Sequence, residues 1–477
     1  MIDLDKITFN PALVAMLPSN IALKKLLLPC TEINGIIYVI AGEPESHQPS
    51  DLKRYFGKDV KLEKADPKKL KEKIKLHYRS SNKVSLENDQ NEVIRLTDEI
   101  IFTAVSKSAS DIHINPKEDK VLIRFRVSGQ LETYKTIPIH SYNGLISRIK
   151  ILAEMNIAEK RSPQDGKLTY KVPGTHQKVD IRAASIPSIN GEKMTLRLLG
   201  INSDALTLDK IGMSKQHLAI YHEEIQRDNG LILINGATGS GKSTSLYASL
   251  RHILKSKDVN IITVEDPVEY QVDNVIQVNV DESDKVSFPS ALKSILRHDP
   301  DVIMIGEIRD AETAGIAIKS SLTGHLVLSS LHANSASAAV VRLADIGVEP
   351  YMIASTLRVS IAQKLVKKLC QNCCTSTELT EQQALLIKRE DLAGTKVAVK
   401  KGCLYCGGLG YLDRMPILEV IQIDNNFKAL IHSELNDENL RKEMQRQDIP
   451  SLVDDAISKM QEGLIDFQEC YKIVSTI

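Results

Sequence analysis

The chain contains no tryptophan, and aromatic residues make up only 4% of its 477 positions. That leaves few rings on which unstacked bases could lie. Neither charge is in excess, since Lys plus Arg and Asp plus Glu each count 61. Proteins that grip nucleic acid along their length usually show a basic excess, so no nucleic acid is expected as a partner. No apolar run reaches the roughly 18 residues of a membrane-spanning helix. The opening MIDLDKITFN carries acids where a secretory signal needs a basic segment and an apolar core, so a cytoplasmic chain is expected. With 42% hydrophobic and 26% charged residues, the composition is that of a soluble globular protein, not a fibrous or disordered one. The length suggests roughly three domains.

Cysteines are few, seven in all, and four of them form two CxxC pairs, Cys370/Cys373 and Cys403/Cys406. In a reducing compartment such pairs favour metal over disulfides. Each pair makes a tight knuckle, and two knuckles complete a closed tetrahedral sulfur site for structural Zn²⁺. Cys374 is expected to stand aside, and Cys30 and Cys470 to be buried as small apolar residues.

Segments follow from pattern. Residues 1–80 read as a small mixed module, with a strand at Ile36–Ile40 and a helix opened by Asp66-Pro67. Leu70, Ile74 and Tyr78 share one face of that helix. Its lysines (68, 69, 71, 73 and 75) form either a solvated face or a partner surface. Residues 81–92 are polar and read as a linker. Residues 93–205 read as a second α+β module, where Arg124, Arg126, Arg182 and Arg197 alternate with apolar residues in strands. From 206 onward, apolar strands alternate with helical stretches, which predicts a parallel α/β sheet. The cysteine element, 366–415, falls within this last domain, 206–477, and the remainder reads as helical.

The strand Leu231–Ile234 runs into Gly236-Ala-Thr238-Gly239-Ser240-Gly241-Lys242-Ser243 and then a helix from Thr244. This is the phosphate-binding GxxxxGK-Ser/Thr loop in its strand–loop–helix context. Its glycines let backbone N–H groups converge on phosphate oxygens, and the helix N-terminus adds its positive end. Lys242 is expected to reach the β- and γ-phosphates of ATP, and Ser243 to bind Mg²⁺. Two further strands end in acids, at Glu265 and Glu307. Chain order leaves open which carboxylate holds magnesium and which orients the attacking water. A third strand, Leu326–Leu328, leads to His332, placed to sense the γ-phosphate.

Together these motifs resemble the secretion ATPases of the GspE/PilB type, which serve type II secretion and type IV pilus assembly. The resemblance is carried by GATGSGKS (236–243), ITVEDPVEY (262–270), DPDVIMIGEIRD (299–310) and TGHLVLSSLHAN (323–334), and by SDIHINP, RSPQDGK and GEKMTLRLL in the second module. It implies a RecA-like P-loop ATPase domain preceded by two smaller modules, the second PAS-like. It implies a homo-hexamer with ATP held between the second module and the P-loop domain. It implies Glu265 as the water-activating acid, Glu307 as the magnesium-site acid, and Arg182, Arg197 and Arg297 as phosphate ligands. It agrees with a tetracysteine zinc element. It further implies peripheral attachment, through partners, to an inner-membrane platform, with residues 1–80 as the docking piece. Lys293, Ser128 and Ser335 depart from the family's usual Arg, Asp and Asp. A nucleic-acid-dependent motor and a non-hydrolysing ATP-binding scaffold stand as alternatives, and intact Lys242, Glu265 and Glu307 argue against the second.

Overall fold

The structure is a computed structural model that describes residues 2–4, 7, 9–78, 89–107, 109–127, 129–173, 178–199, 207–269, 271–280 and 286–476. Residues 81–88 of the expected linker, Ser128 and the 205/206 boundary lie outside the described residues. Residues 89–92 open the helix Asp89–Ser106 and are not linker. The chain forms two compact units: Met1–Asn202 with Leu369–Thr375 and Lys400–Asp413, and Ser203–Lys368 with Ser376–Val399 and Arg414–Ile477. The cysteine-bearing segments therefore group with the first unit, whereas the sequence reading placed them in the P-loop domain.

Within the first unit, the N-terminal module is built on a three-stranded sheet of Leu27–Ile33, Ile36–Ala41 and Val60–Lys64. The hairpin between the first two strands turns on Asn34 and Gly35, both at positive φ, the backbone of a two-residue I′ turn. Asp66 caps the helix Pro67–Tyr78 by accepting from Lys69 N at 2.9 Å. The helix buries Leu70, Ile74 and Tyr78, and the Tyr78 hydroxyl donates to Val14 O and Leu17 O.

The second module is an antiparallel six-stranded sheet in the order Gln130–Pro138, Lys120–Val127, Asp111–Pro116, Gly191–Leu199, Lys178–Ser188, Gln164–Lys171. Alternation gives it one apolar face, with Ile112, Phe125, Ile181 and Leu196 buried with residues of the helices Asp89–Ser106 and Tyr142–Leu152. The alternating arginines take the opposite face. A buried ion pair, Lys150 with Glu192 at 2.5 Å, ties the second helix to the sheet.

The second unit carries a seven-stranded sheet in the order Val275–Asn279, Ile261–Glu265, Val302–Ile305, Leu326–Leu331, Gly230–Asn235, Leu357–Leu369, Tyr411–Gln422. The first six of these are parallel. The unbroken apolar runs follow from burial on both faces. Leu231 and Leu233 enter one core, while Ile232 and Ile234 enter the other. The last strand, Tyr411–Gln422, corrects the expectation of helix after the cysteines. Its Ile417 and Ile421 join one core and Leu418 and Val420 the other, the pattern of a doubly covered strand. Four helices then follow, Asn425–Ser433, Asp437–Arg446, Leu452–Gln461 and Phe467–Val474, each capped by the side chain before it.

The N-terminal module also holds a pH-sensitive group. The His77 ring packs on Phe9 with centroids 4.9 Å apart. Burial, and then the charge of Lys73, lower its pKa from 6.5 to about 4. Protonation therefore favours the unfolded chain. The stabilisation is complete above pH 6.5 and disappears as pH falls through about 4. A shift of this size is worth about 3 kcal/mol at most. Residues 9–78 should resist proteolysis in urea better at pH 7 than at pH 4.5, and His77→Phe should shrink that difference. An equal acid sensitivity in the variant would exclude His77 as its source.

Candidate nucleotide and metal sites

The P-loop leaves the sheet at its centre, between the strands Leu326–Leu331 and Leu357–Leu369. Gly239 and Gly241 have φ of 80° and 88°, which L side chains rarely adopt. Gly236 is required for a second reason. A Cβ there would stand 2.4 Å from the carbonyl oxygen of Gln363 on the neighbouring strand. Gln363 is itself 2% exposed and ties the loop to the helix that follows it. It donates to Ser240 O at 2.8 Å and accepts from the Ser245 hydroxyl at 2.8 Å. Asn235 is buried beside it and donates to Ser360 Oγ and Ile361 O, both at 3.0 Å.

Thr238 and Gly239 are exposed at the loop's crest, whereas Ser240 is buried. The helix Lys242–Ser256 begins directly after it, with Thr244 in its first turn. Lys242 Nζ donates to the carbonyls of Gly236 at 2.7 Å and Ala237 at 3.2 Å. Burial lowers its pKa, opposed by the carboxylates of Glu307 and Glu269. The Ser243 hydroxyl donates to Glu269 Oε1 at 3.2 Å. Two acids thus act on the cationic end of the loop, and one of them, Glu269, already touches the hydroxyl expected to bind magnesium. The residue types present fit a nucleotide phosphate with a divalent cation, namely backbone donors, one lysine, one hydroxyl and carboxylates.

Glu307 and His332 come together, with His332 Nε2 3.2 Å from Glu307 Oε2. Arg309 also pairs with Glu307, and it lies 3.7 Å from Asp266. Glu265 has a different setting. It is 4% exposed and accepts hydrogen bonds from Thr263, Gln277 and Tyr247. Arg297 is exposed and donates to Lys293 O at 3.3 Å, while Lys293 pairs with Glu312. In the first unit, Arg182, Arg197, Asp111 and Arg126 stand side by side across four strands. Asp111 holds Arg197 at 3.1 Å and Arg126 at 3.7 Å. Sequence reading missed Tyr247, Gln363, Gln277 and Arg309. Only Arg309 carried a signal, an opposite charge two residues from Glu307.

The four expected zinc ligands also converge. Their Sγ atoms lie within 4.8 Å of one another. Three Sγ–Sγ separations are 3.8 Å: Cys370–Cys403, Cys373–Cys406 and Cys403–Cys406. Tetrahedral zinc with Zn–S bonds of about 2.3 Å requires sulfurs about 3.8 Å apart, so the set fits zinc. Burial raises the thiol pKa of Cys370 and Cys373. At Cys406 burial also raises it, but the backbone N–H groups of Cys403 and Gly410, at 3.2 and 3.1 Å from Sγ, together with the side chains of Cys373 and Cys403, bring it below its ordinary value. Such N–H donors favour the thiolate that a metal needs. Cys30 and Cys470 are fully buried, and burial pushes each thiol up to about 12.

These features define a RecA-like P-loop protein with a tetracysteine site. A family model described as "Type II/IV secretion system protein" matches residues 86–472. The chain belongs to that family. It is 40% identical over 385 residues to "Type II secretion system ATPase E" of Vibrio cholerae, covering 81% of this chain and 76% of that one. It is 34% identical over 497 aligned positions to "Type IV pilus assembly ATPase PilB" of Myxococcus xanthus, covering 98% of this chain and 88% of the relative. In fold it is similar to the Legionella pneumophila ATPase DotB, with a TM-score of 0.61 at 20% identity, covering 83% of this chain and 98% of that one.

The cysteine loop also packs on the N-terminal module. Leu404, between the last two cysteines, is buried in that module's core, and Tyr405 packs against it. A Cβ on Gly408 would lie 3.4 Å from Glu32 O. Removing the metal with a strong chelator, or by Cys403→Ser, should therefore loosen more than the knuckle. About one zinc per chain should be released. Amide exchange in Leu27–Ile33 should accelerate at the same time. Unchanged exchange there after zinc loss would uncouple the two.

Proposed function

We propose that the chain is a homo-hexameric ATPase that hydrolyses ATP to ADP and phosphate. It powers assembly of a type IV pilus or of a type II secretion pseudopilus at the cytoplasmic face of the inner membrane. One observation carries the reading. Lys242, Ser243, Glu269, Glu307 and His332 gather where parallel strands end beside the P-loop, linked by the Ser243–Glu269 and Glu307–His332 contacts. In this reading Gly236, Thr238, Gly239, Ser240, Gly241 and Thr244 frame the phosphates and Lys242 neutralises them. Ser243 and Glu307 hold magnesium, which when bound supplies positive charge to the phosphate oxygens. Glu265 takes the proton of the attacking water, and His332 senses the γ-phosphate. Arg182, Arg197 and Arg297 contribute further phosphate contacts, and zinc has a structural role at the four cysteines. Among the described residues no helix is long and apolar enough to cross a membrane. Attachment through a membrane-bound partner, with residues 1–80 as the docking piece, fits that.

Lys242→Ala and Glu307→Gln should each reduce ATP turnover by about 100-fold or more, with hexamer mass and zinc content unchanged. Turnover equal to wild type in Lys242→Ala would sink the P-loop reading. A wild-type hexamer with full zinc and no turnover would leave only a nucleotide-binding scaffold.

A further inference from the structure

Tyr247 lies one turn beyond Ser243 on the P-loop helix, and its side chain is 1% exposed. Its ring fills space between helix and sheet, as any buried aromatic would. Its hydroxyl, however, makes two contacts that packing alone does not require. It donates to Glu265 Oε2 and accepts from the backbone N–H of Glu269 at 3.3 Å. The two partners are the first and last residues of the five-residue turn 265–269. One hydroxyl therefore clasps both ends of the turn that carries two acids of the candidate site.

The remaining oxygen of Glu265 is also committed. Oε1 accepts from Thr263 Oγ1 at 2.6 Å and from Gln277 Nε2 at 3.1 Å. Thr263 is two residues back on the same strand, and Gln277 is on the adjacent parallel strand Val275–Asn279. These two donors are fixed in the sheet. The third rides on the helix whose first turn holds Lys242 and Ser243. Tyr247 is thus the one donor to Glu265 carried by the element that binds phosphate. Burial, and then the Glu265 charge, raise the Tyr247 pKa above its ordinary value, so the hydroxyl keeps its proton and donates.

We infer that Tyr247 is a positioning residue for ATP hydrolysis: it sets the orientation of the Glu265 carboxylate and ties that orientation to the P-loop helix. It does not touch substrate, and it acts through Glu265. The inference rests on the ATPase reading above and adds the element that aims the water-activating acid. A hydrogen bond to a carboxylate fixes direction as well as charge, and a misaimed base is lost to the chemical step while ground-state binding survives.

The test uses the full-length hexamer with zinc and Mg·ATP. Four proteins are compared: wild type, Tyr247→Phe, Glu265→Gln and the double variant. Phenylalanine keeps the ring and removes only the clasp. Tyr247→Phe should reduce kcat by about 10-fold or more and leave KM for ATP within about 2-fold. In the Glu265→Gln background the same change should cost almost nothing, because the residue through which Tyr247 acts is already disabled. Thr263→Val tests the orientation of the Glu265 carboxylate independently of Tyr247: it removes a fixed donor to the other oxygen, and it too should lower kcat with little change in KM. Equal kcat in wild type and Tyr247→Phe would overturn the inference with the ATPase reading intact. So would a KM change as large as the kcat change, or a full additional loss in the Glu265→Gln background. A wild-type hexamer without turnover would remove the ATPase reading and this inference with it.

Discussion

A parallel strand buried on both faces admits a polar side chain along its length only where a hydrogen bond satisfies it, as at Thr263, Ser329 and Gln363, so charged groups are pushed to its ends. In the seven-stranded sheet this constraint acts on neighbouring strands at once. Ile234, Val264, Ile305 and Leu331 are all fully or almost fully buried, and Gly236, Glu265, Glu307 and His332 follow them. Since the strands are parallel, those ends share one edge. The same rule that fills the two cores therefore concentrates a lysine, a hydroxyl, acids and an imidazole in one place. The candidate site is where the sheet's packing rule expires.

The P-loop shows a second consequence of close packing. Its glycines are usually explained by the phosphate, which needs backbone N–H groups turned toward it. Here Gly236 and Gly241 are also hemmed in from behind by Gln363, whose atoms would lie 2.4 and 2.8 Å from an added Cβ. The loop is squeezed between a ligand-facing side and a back wall, the strand Leu357–Leu369. Gln363 is suited to that wall because one amide both donates to the loop and accepts from the helix that follows it. An aliphatic residue would fill the volume and leave Ser240 O and the Ser245 hydroxyl without partners.

Much of this was legible in the sequence, and the reason is local. The P-loop, the capped helix at Asp66, the apolar strands and the CxxC pairs are each written in a stretch of a dozen residues or fewer. What escaped is non-local. Gln363 is 118 residues from Ser245 along the chain. Gln277 meets Glu265 through the sheet's strand order, and Tyr247 through the packing of the P-loop helix on the sheet. The helical expectation after the cysteines failed for a related reason. The run from Met415 to Ile421 has no alternation because both its faces are buried, and without alternation periodicity cannot tell strand from helix. The grouping of the cysteine segments with the first unit was likewise invisible, since it depends on Leu404 reaching a core built from residues between Leu4 and Tyr78, more than 300 positions earlier.

The zero net charge of the chain conceals a division that the second module makes visible. Across its sheet, Arg182, Arg197, Asp111 and Arg126 stand in register. Three cations and one anion in a row would repel if left loose. Asp111 is buried in the row, and the Nε of Arg197 donates to it, while Arg197 itself remains 68% exposed. Holding an arginine by Nε fixes the plane of its guanidinium without covering the whole fork. Arginine suits this use better than lysine, because its donors point in fixed directions once the plane is set. Substituting Asp111 would leave the same charges at the surface but free their orientation. The acid is therefore better understood as the part that aims the cations than as the part that neutralises them.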